Sequence, residues 1–158
     1  MNKLIFCNLD MLKPELDKAD YEGYDFSTFD YHKFNEKREI FICKCKKLSE
    51  ESDNAICFYS RKRNVLEDFE KKFHKAGCTN FGFEDRKTVE EIARTYKDKN
   101  NYFVFVGGKN ADFILAVNTR SLYIVPTWLP LEDKAQKYGV HVNTVKQFRK
   151  FIQTLNNQ

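Results

Sequence analysis

The chain alternates between short apolar runs and longer segments with a helical spacing of apolar residues. Four continuous apolar runs, each followed by polar or glycine residues, predict buried parallel strands: Leu4–Cys7, Ala55–Tyr59, Tyr102–Val106 and Leu122–Val125. A weaker strand is predicted near residues 80–83. The pattern therefore predicts a sheet of about five strands.

The segments between these runs have the periodicity of amphipathic helices. The clearest spans 65–76, where Val65, Phe69 and Phe73 share one face and Gly77 follows as a stop. Further helices are predicted over 88–96, 111–117, 131–138 and 144–155, with capping boxes at Asn64/Glu67, Thr88/Glu91 and Thr144/Gln147. Strands that alternate with helices indicate an α/β fold, here a Rossmann-like parallel sheet with helices on both faces. We predict one domain over residues 1–158.

Residues 13–52 interrupt this alternation. The part up to Asp30 is polar and rich in turn-forming residues, whereas 32–48 has helical spacing, with Phe34, Phe41 and Leu48 on one face. The segment is too short for a second domain, so we interpret it as a short helical insertion.

Composition narrows the class of protein. With 42% hydrophobic and 15% aromatic residues, the chain has enough apolar side chains for a packed core. No apolar run approaches the roughly 20 residues that span a bilayer, and the N-terminus lacks the features of a signal peptide. Five irregularly spaced cysteines do not form the framework of a secreted disulfide-rich protein. We therefore expect a cytoplasmic protein without a membrane segment.

The charge is mildly basic. A net charge of +4 favours anionic ligands but is too small, and too evenly interleaved with acids, to require a nucleic-acid partner. In an open parallel sheet, ligands bind beyond the carboxyl ends of the strands. The polar and glycine residues that directly follow the predicted strands are Asn8, Asp10, Ser60, Arg61, Gly107, Gly108, Lys109, Asn110, Asp112 and Thr127.

The order of these residues resembles the motifs of the haloacid dehalogenase superfamily. Asn8-Leu9-Asp10 is similar to the first motif, Asp-x-Asp after a hydrophobic strand, and Ser60 is similar to the Ser/Thr of the second. Lys87 stands where a third-motif lysine is expected, and 107–112 resembles the fourth motif, Gly-Asp-x-x-x-Asp. The resemblance covers roughly residues 3–127, and 13–52 would then replace the larger cap of other members.

The resemblance implies a role for each matching position. In the family the first aspartate attacks phosphorus and the second acts as general acid and base, so Asp10 would have the second role. Ser60 and Lys87 would contact the phosphoryl oxygens, and Asp10 and Asp112 would be the carboxylates left to bind Mg²⁺. Independently of the resemblance, Arg61 follows the end of a strand, where it could contact a phosphate.

Two positions depart from the family pattern. Asn8 stands in place of the nucleophilic aspartate, and an amide is a poor nucleophile without the charge that Mg²⁺ binding uses. Gly108 stands in place of a metal-binding acid. Asp10 could replace Asn8 as the nucleophile only if the strand ran two residues further. The asparagine could also be an engineered inactivation, but the glycine at 108 favours natural degeneracy.

Three functions follow as hypotheses. The first is a catalytically degenerate phosphatase-like protein that binds a phosphorylated small molecule or a protein partner, with Mg²⁺ bound weakly or not at all. The second is an active Mg²⁺-dependent phosphohydrolase with an uncapped site that accepts a macromolecular substrate. The third is a nucleic-acid-associated accessory protein. Whether the chain is an enzyme stays open at this point.

Overall fold

The computed structural model describes residues 2–13, 16–21, 23–51, 53–96 and 101–155. Six parallel strands form one sheet in the order β3-β2-β1-β4-β5-β6. The strands are β1 (Asn2–Asn8), β2 (Asn54–Ser60), β3 (Gly82–Asp85), β4 (Asn101–Val106), β5 (Leu122–Pro126) and β6 (Val140–Val142). The α/β prediction with a parallel sheet is confirmed.

The predicted number of five strands is wrong by one. The sixth strand, Val140–Val142, has only three residues and pairs with β5 at the edge of the sheet. Such a short stretch shows no measurable periodicity, so its strand character comes from the partner strand and not from its own sequence.

Among the described residues there are six α-helices, of which the first five connect the strands and the last follows β6. They are α1 (Tyr31–Ser49), α2 (Arg63–Lys75), α3 (Arg86–Thr95), α4 (Asn110–Asn118), α5 (Asp133–Lys137) and α6 (Val145–Thr154). Short 3-10 turns cover Leu9–Met11, Lys18–Asp20 and Phe26–Thr28. Among the described residues, no helix is both long and apolar enough to cross a membrane.

Two of the three predicted helix caps are wrong, as the observed starts of α2 and α3 show. The α2 helix has Lys62 at its cap position and no side-chain cap, so it begins two residues before the start that a cap at Asn64 would give. The α3 helix is capped by Asp85, whose Oδ1 accepts a hydrogen bond from the backbone N–H of Thr88 at 2.8 Å. The cap at Thr144 is confirmed, because its hydroxyl oxygen accepts from the backbone N–H of Gln147.

The core lies in two layers, one on each face of the sheet. On one face, α1, α2 and α6 pack apolar residues such as Phe34, Phe69 and Phe148 against the strands. On the other, α3, α4 and α5 do so with smaller residues such as Val89 and Ala116. Helices on both faces explain why the strands are continuous apolar runs.

The segment between β1 and β2 ends in an ordinary crossover helix. In α1, Phe34, Phe41, Cys45 and Leu48 are buried in the larger core cluster, so the helix belongs to the main layer of the domain. Residues 14, 15, 22 and 52 of the predicted insertion lie outside the described residues. The described part before α1 contributes an aromatic group over the carboxyl edge of the sheet: Tyr21, Tyr24, Phe26 and Phe29.

The strand order creates a switch point at β1. The chain moves outward from β1 through β2 to β3, then returns to β4 on the other side of β1 and continues to β6. Ligand sites of open α/β sheets lie at such a point, beyond the carboxyl ends of the strands. The register aligns Asn8 with Tyr59 and Cys7 with Val106, so the ends of β1, β2 and β4 meet at one level.

Candidate functional site

Asn8 is the last residue of β1 and links two parts of the site. Its Oδ1 accepts a hydrogen bond from the backbone N–H of Asp10 at 2.9 Å and so caps the turn at Leu9–Met11. Its Nδ2 donates to Oδ1 of Asp112 at 2.9 Å. Both ends of the amide are therefore used, one as acceptor and one as donor, whereas an ionised carboxylate could only accept.

The carboxylate of Asp112 is buried and fully engaged by the protein. Its Oδ1 also accepts a hydrogen bond from the hydroxyl of Tyr59, and its Oδ2 accepts from the backbone N–H of Lys109 at 3.1 Å. Asp112 lies at the third position of α4, and its bond to Lys109 closes the first turn of that helix. Three donors thus converge on one carboxylate.

Burial shifts the pKa of both acids in this cluster. Removal from water raises the pKa of Asp112 to about 6, although the hydrogen bonds from Tyr59, Lys109 and Asn8 act in the opposite direction. Burial also raises the pKa of the Tyr59 hydroxyl well above its ordinary value, and the neighbouring Asp112 adds to this shift. Tyr59 therefore keeps its proton and remains a donor to Asp112.

The backbone of Asp10 is bonded to Asn8 of this cluster, but its side chain pairs with Ser60. The hydroxyl of Ser60 donates to Oδ1 of Asp10 at 2.8 Å, and both side chains are buried. The Ser60 oxygen in turn accepts from the backbone N–H of Lys62 at 3.1 Å, which shapes the turn into α2. The predicted acid/base residue and the predicted phosphate-contacting serine are thus brought together.

Gly108 has no room for a side chain. A Cβ atom there would lie 2.7 Å from Cδ2 of Leu131, 2.7 Å from the carbonyl oxygen of Pro130 and 2.8 Å from Cε of Met11. Real Cβ atoms essentially never approach other atoms this closely, and the Pro130 contact is to backbone. The place that an acid would occupy is filled by the protein itself.

Three cationic residues surround a small recess beside Asp10. Arg61, Arg86 and Lys109 line it together with Ser60 and Asp112. The recess is about 10 Å³, which is at most the space for one water. An anion of phosphate size would therefore bind at its mouth, where Arg61 is exposed and Arg86 and Lys109 are partly exposed.

Lys87 does not line this recess. It is exposed in the first turn of α3 and faces a separate, larger groove together with Arg61 and Arg86. Arg86, one residue earlier, is the residue of that turn that reaches the recess, and its guanidinium lies 3.5 Å from the carbonyl oxygen of Ala111. The phosphate role predicted for Lys87 stays a prediction.

The arrangement does not fit a Mg²⁺ ion. Mg²⁺ takes oxygen ligands in near-octahedral geometry and is usually held by carboxylates. Here Asp112 already accepts three hydrogen bonds, Asn8 turns its N–H toward Asp112, and position 108 supplies no side chain. Within the described ranges, no group of three or more Cys, His, Asp or Glu side chains is placed to hold a metal.

Sequence reasoning missed Tyr59 and Arg86 and did not single out Lys109. The hydroxyl of Tyr59 points to the site because the register of β2 places this residue beside Asn8. As part of an apolar run, Tyr59 carried no polar signal in the sequence. Arg86 precedes Lys87, and only the observed start of α3 decides which of the two faces the recess.

Comparison of the chain with family models, with curated proteins and with solved structures gives no match. The observations that bear on function are therefore the fold and the contacts of the site.

Proposed function

We propose that this protein binds a phosphorylated ligand at the carboxyl edge of its sheet and does not hydrolyse it. The observation that carries the proposal is the Asp112 carboxylate, whose two oxygens accept hydrogen bonds from Asn8, Tyr59 and Lys109. The acid that the resemblance assigns to the metal side is used to hold the strand ends together. Position 8 offers an amide instead of a nucleophilic carboxylate.

The binding half of the proposal rests on charge and position. Arg61, Arg86 and Lys109 come from the ends of β2, β3 and β4 and meet around Ser60. Arginine donates in a planar fork that matches phosphate oxygens, and such charge-assisted bonds are about twice as strong as neutral ones. This group would recognise a dianionic phosphate without a metal.

Membership of the haloacid dehalogenase superfamily is part of this proposal. The order of the strands, with the Asn8 strand in the middle and the fourth strand beside it, agrees with the placement of motifs that the resemblance implies. A degenerate member would keep the fold and the phosphate contacts while losing the chemistry.

The first experiment measures hydrolysis of an aryl phosphate with and without Mg²⁺, for the wild-type chain and for Asp10→Ala. We expect no difference between the two proteins. Mg²⁺-dependent turnover that Asp10→Ala abolishes would show an active phosphohydrolase and overturn the proposal.

The second experiment measures thermal stabilisation by O-phosphoserine, with serine as the matched ligand. A ligand that binds only the folded state at about 100 times its Kd stabilises by about 2.7 kcal/mol. We expect stabilisation by O-phosphoserine alone, reduced in Arg86→Gln and unchanged in Lys146→Gln, whose side chain is exposed on α6. Equal responses to the two ligands would contradict phosphate recognition.

A further inference from the structure

A second cavity, which we call the basic groove, opens between the first turns of α2 and α3. It has a volume of about 740 Å³ and is open to solvent. Four cationic side chains line it, Arg61, Arg63, Arg86 and Lys87, and Leu66 and Phe83 supply its apolar surface. It is far larger than the recess beside Asp10 and lies in the size range of ligand sites.

The groove and the recess share two residues. Arg61 and Arg86 line both cavities, so the recess and the groove adjoin at these two residues. Neither Arg61 nor Lys87 forms a salt bridge with another described residue. A ligand whose phosphate binds at Arg61 and Arg86 would therefore extend into the groove.

The groove also contains acids, and this argues against a nucleic acid. Glu84, Asp85 and Glu90 line it beside the four cations. Asp85 is occupied as the cap of α3, and Glu90 pairs with Arg94 at 2.9 Å. The balance is cationic but mixed, whereas a groove for a nucleic-acid backbone meets only repeated negative charge.

A peptide ligand fits this mixed set of charges better than a nucleic acid does. One wall of the groove is β3, which is the edge strand of the sheet and pairs with β2 on one side. In the described part of the chain, no other strand pairs with its outer side. An exposed edge strand offers backbone donors and acceptors to an extended peptide, and pockets beside it then select side chains.

We propose that the basic groove binds an extended peptide that pairs with the outer edge of β3 and places a phosphorylated side chain at Arg61 and Arg86. This inference rests on the phosphate recognition proposed above and names its ligand class. Arg63 and Lys87 bind acidic or carbonyl groups of the flanking peptide, and Phe83 and Leu66 bind an apolar side chain.

The test is fluorescence anisotropy with a labelled peptide pool that has one fixed phosphoserine and randomised flanks. The matched pools have serine or glutamate at the fixed position. We expect binding of the phosphoserine pool, with an affinity at least about tenfold above that of the serine pool, which corresponds to about 1.4 kcal/mol. Similar affinity for all three pools would overturn the inference.

Two substitutions separate this inference from the proposed function. Arg63→Gln changes a residue that lines the groove but not the recess. We expect it to weaken binding of the phosphoserine pool about tenfold while leaving stabilisation by O-phosphoserine intact. Lys146→Gln on α6, which follows the opposite edge strand β6, removes the same charge and should change neither readout.

The outcomes are distinguishable. If O-phosphoserine stabilises the protein but the peptide pool does not bind, the proposed phosphate recognition is supported and the proposed peptide binding is overturned. A pool with N-methylated backbone flanks that binds as well as the original overturns pairing with β3. Preference for a single-stranded oligonucleotide over the phosphoserine pool, with an affinity that falls steeply with salt, would assign the groove to nucleic acid instead.

Discussion

The amide nitrogen of Asn8 lies 2.9 Å from a carboxylate oxygen of Asp112, across the boundary between the two halves of the sheet. The two residues are 104 positions apart in the chain. In the family that the motifs resemble, both positions carry acids. Here one of the two acids is an amide, and its hydrogen lies between the two side chains.

Asn8→Asp should therefore destabilise the protein at neutral pH. The change puts two buried carboxylates at hydrogen-bond distance without a proton or cation between them, which we expect to reduce the free energy of unfolding by roughly 2–4 kcal/mol. Added Mg²⁺ should restore part of the loss in this variant and have little effect on the wild type. Urea unfolding at pH 7.5, with and without Mg²⁺, measures both effects.

A matched control for this variant is Asn64→Asp. Asn64 is exposed near the start of α2, so the same change of charge there should alter stability by no more than about 0.5 kcal/mol. If Asn8→Asp were as stable as the control without Mg²⁺, the bond between Asn8 and Asp112 would not have the role assigned to it.

Gly108→Ala should also destabilise the protein. The new methyl group would meet Leu131, Pro130 and Met11 at 2.7–2.8 Å, and overpacking of this kind reduces stability by about 1–3 kcal/mol. Gly108→Asp should be worse, because it adds a buried charge to the same clash. Under the proposed function, an acid at this position would therefore not restore a metal site.

Gly82→Ala is the control for the glycine change. Its Cβ would approach Sγ of Cys57 at 3.4 Å, an ordinary contact, and we expect a change within about 0.5 kcal/mol. Equal melting temperatures for Gly108→Ala and Gly82→Ala would show that the loop around Gly108 adapts to a side chain.

Asp112 should give the protein an unusual dependence of stability on pH. Its pKa is about 6 in the folded protein, against 3.8 for an unperturbed aspartate, so the folded state binds more protons between these values. The stability that this group contributes is complete below pH 3.8 and is lost as the pH rises through 6. At about 1.36 kcal/mol for each pKa unit, the loss is on the order of 2–3 kcal/mol.

The measurement is the free energy of unfolding from about pH 4.5 to about pH 7, for the wild type and for Asp112→Asn. In the variant, the free energy of unfolding should no longer decrease as the pH rises through this range, whatever its absolute value. Asp25, Asp85 and Asp133 do not interfere, because their pKa values are lowered and they act below this range. A slope that persists in Asp112→Asn would show that another group titrates.

The sequence predicts most of the elements because their signals are local. Continuous apolar runs such as 102–106 and helical stripes such as 65–76 depend on neighbours a few positions away, and both correspond to observed elements. The Thr144 cap follows from local chemistry in the same way. The cap at Asp85 was missed because Thr88 offered an equally good local pattern.

The predicted site could be located but not completed from the sequence. Asn8, Asp10, Ser60 and Asp112 were identified because they follow apolar runs, and parallel strands bring such positions to one edge. Tyr59 was missed because its hydroxyl donates to the buried carboxylate of Asp112, which lies on a helix far away in the sequence. In the sequence, Gly108 only departs from the motif that it resembles, and the structure adds that a side chain does not fit there.

By itself, the sequence determined the fold class, the edge of the sheet where polar groups gather and the two positions, 8 and 108, that depart from the motifs it resembles. Tertiary structure alone decided that Asn8, Tyr59 and Lys109 satisfy Asp112, that Arg86 faces the recess, and that Val140–Val142 is a strand. The physical reason is the distance along the chain between the residues that interact. Apolar periodicity depends on residues a few positions apart. A hydrogen bond, a steric limit or a short edge strand depends on partners that only the register and packing of the sheet bring together.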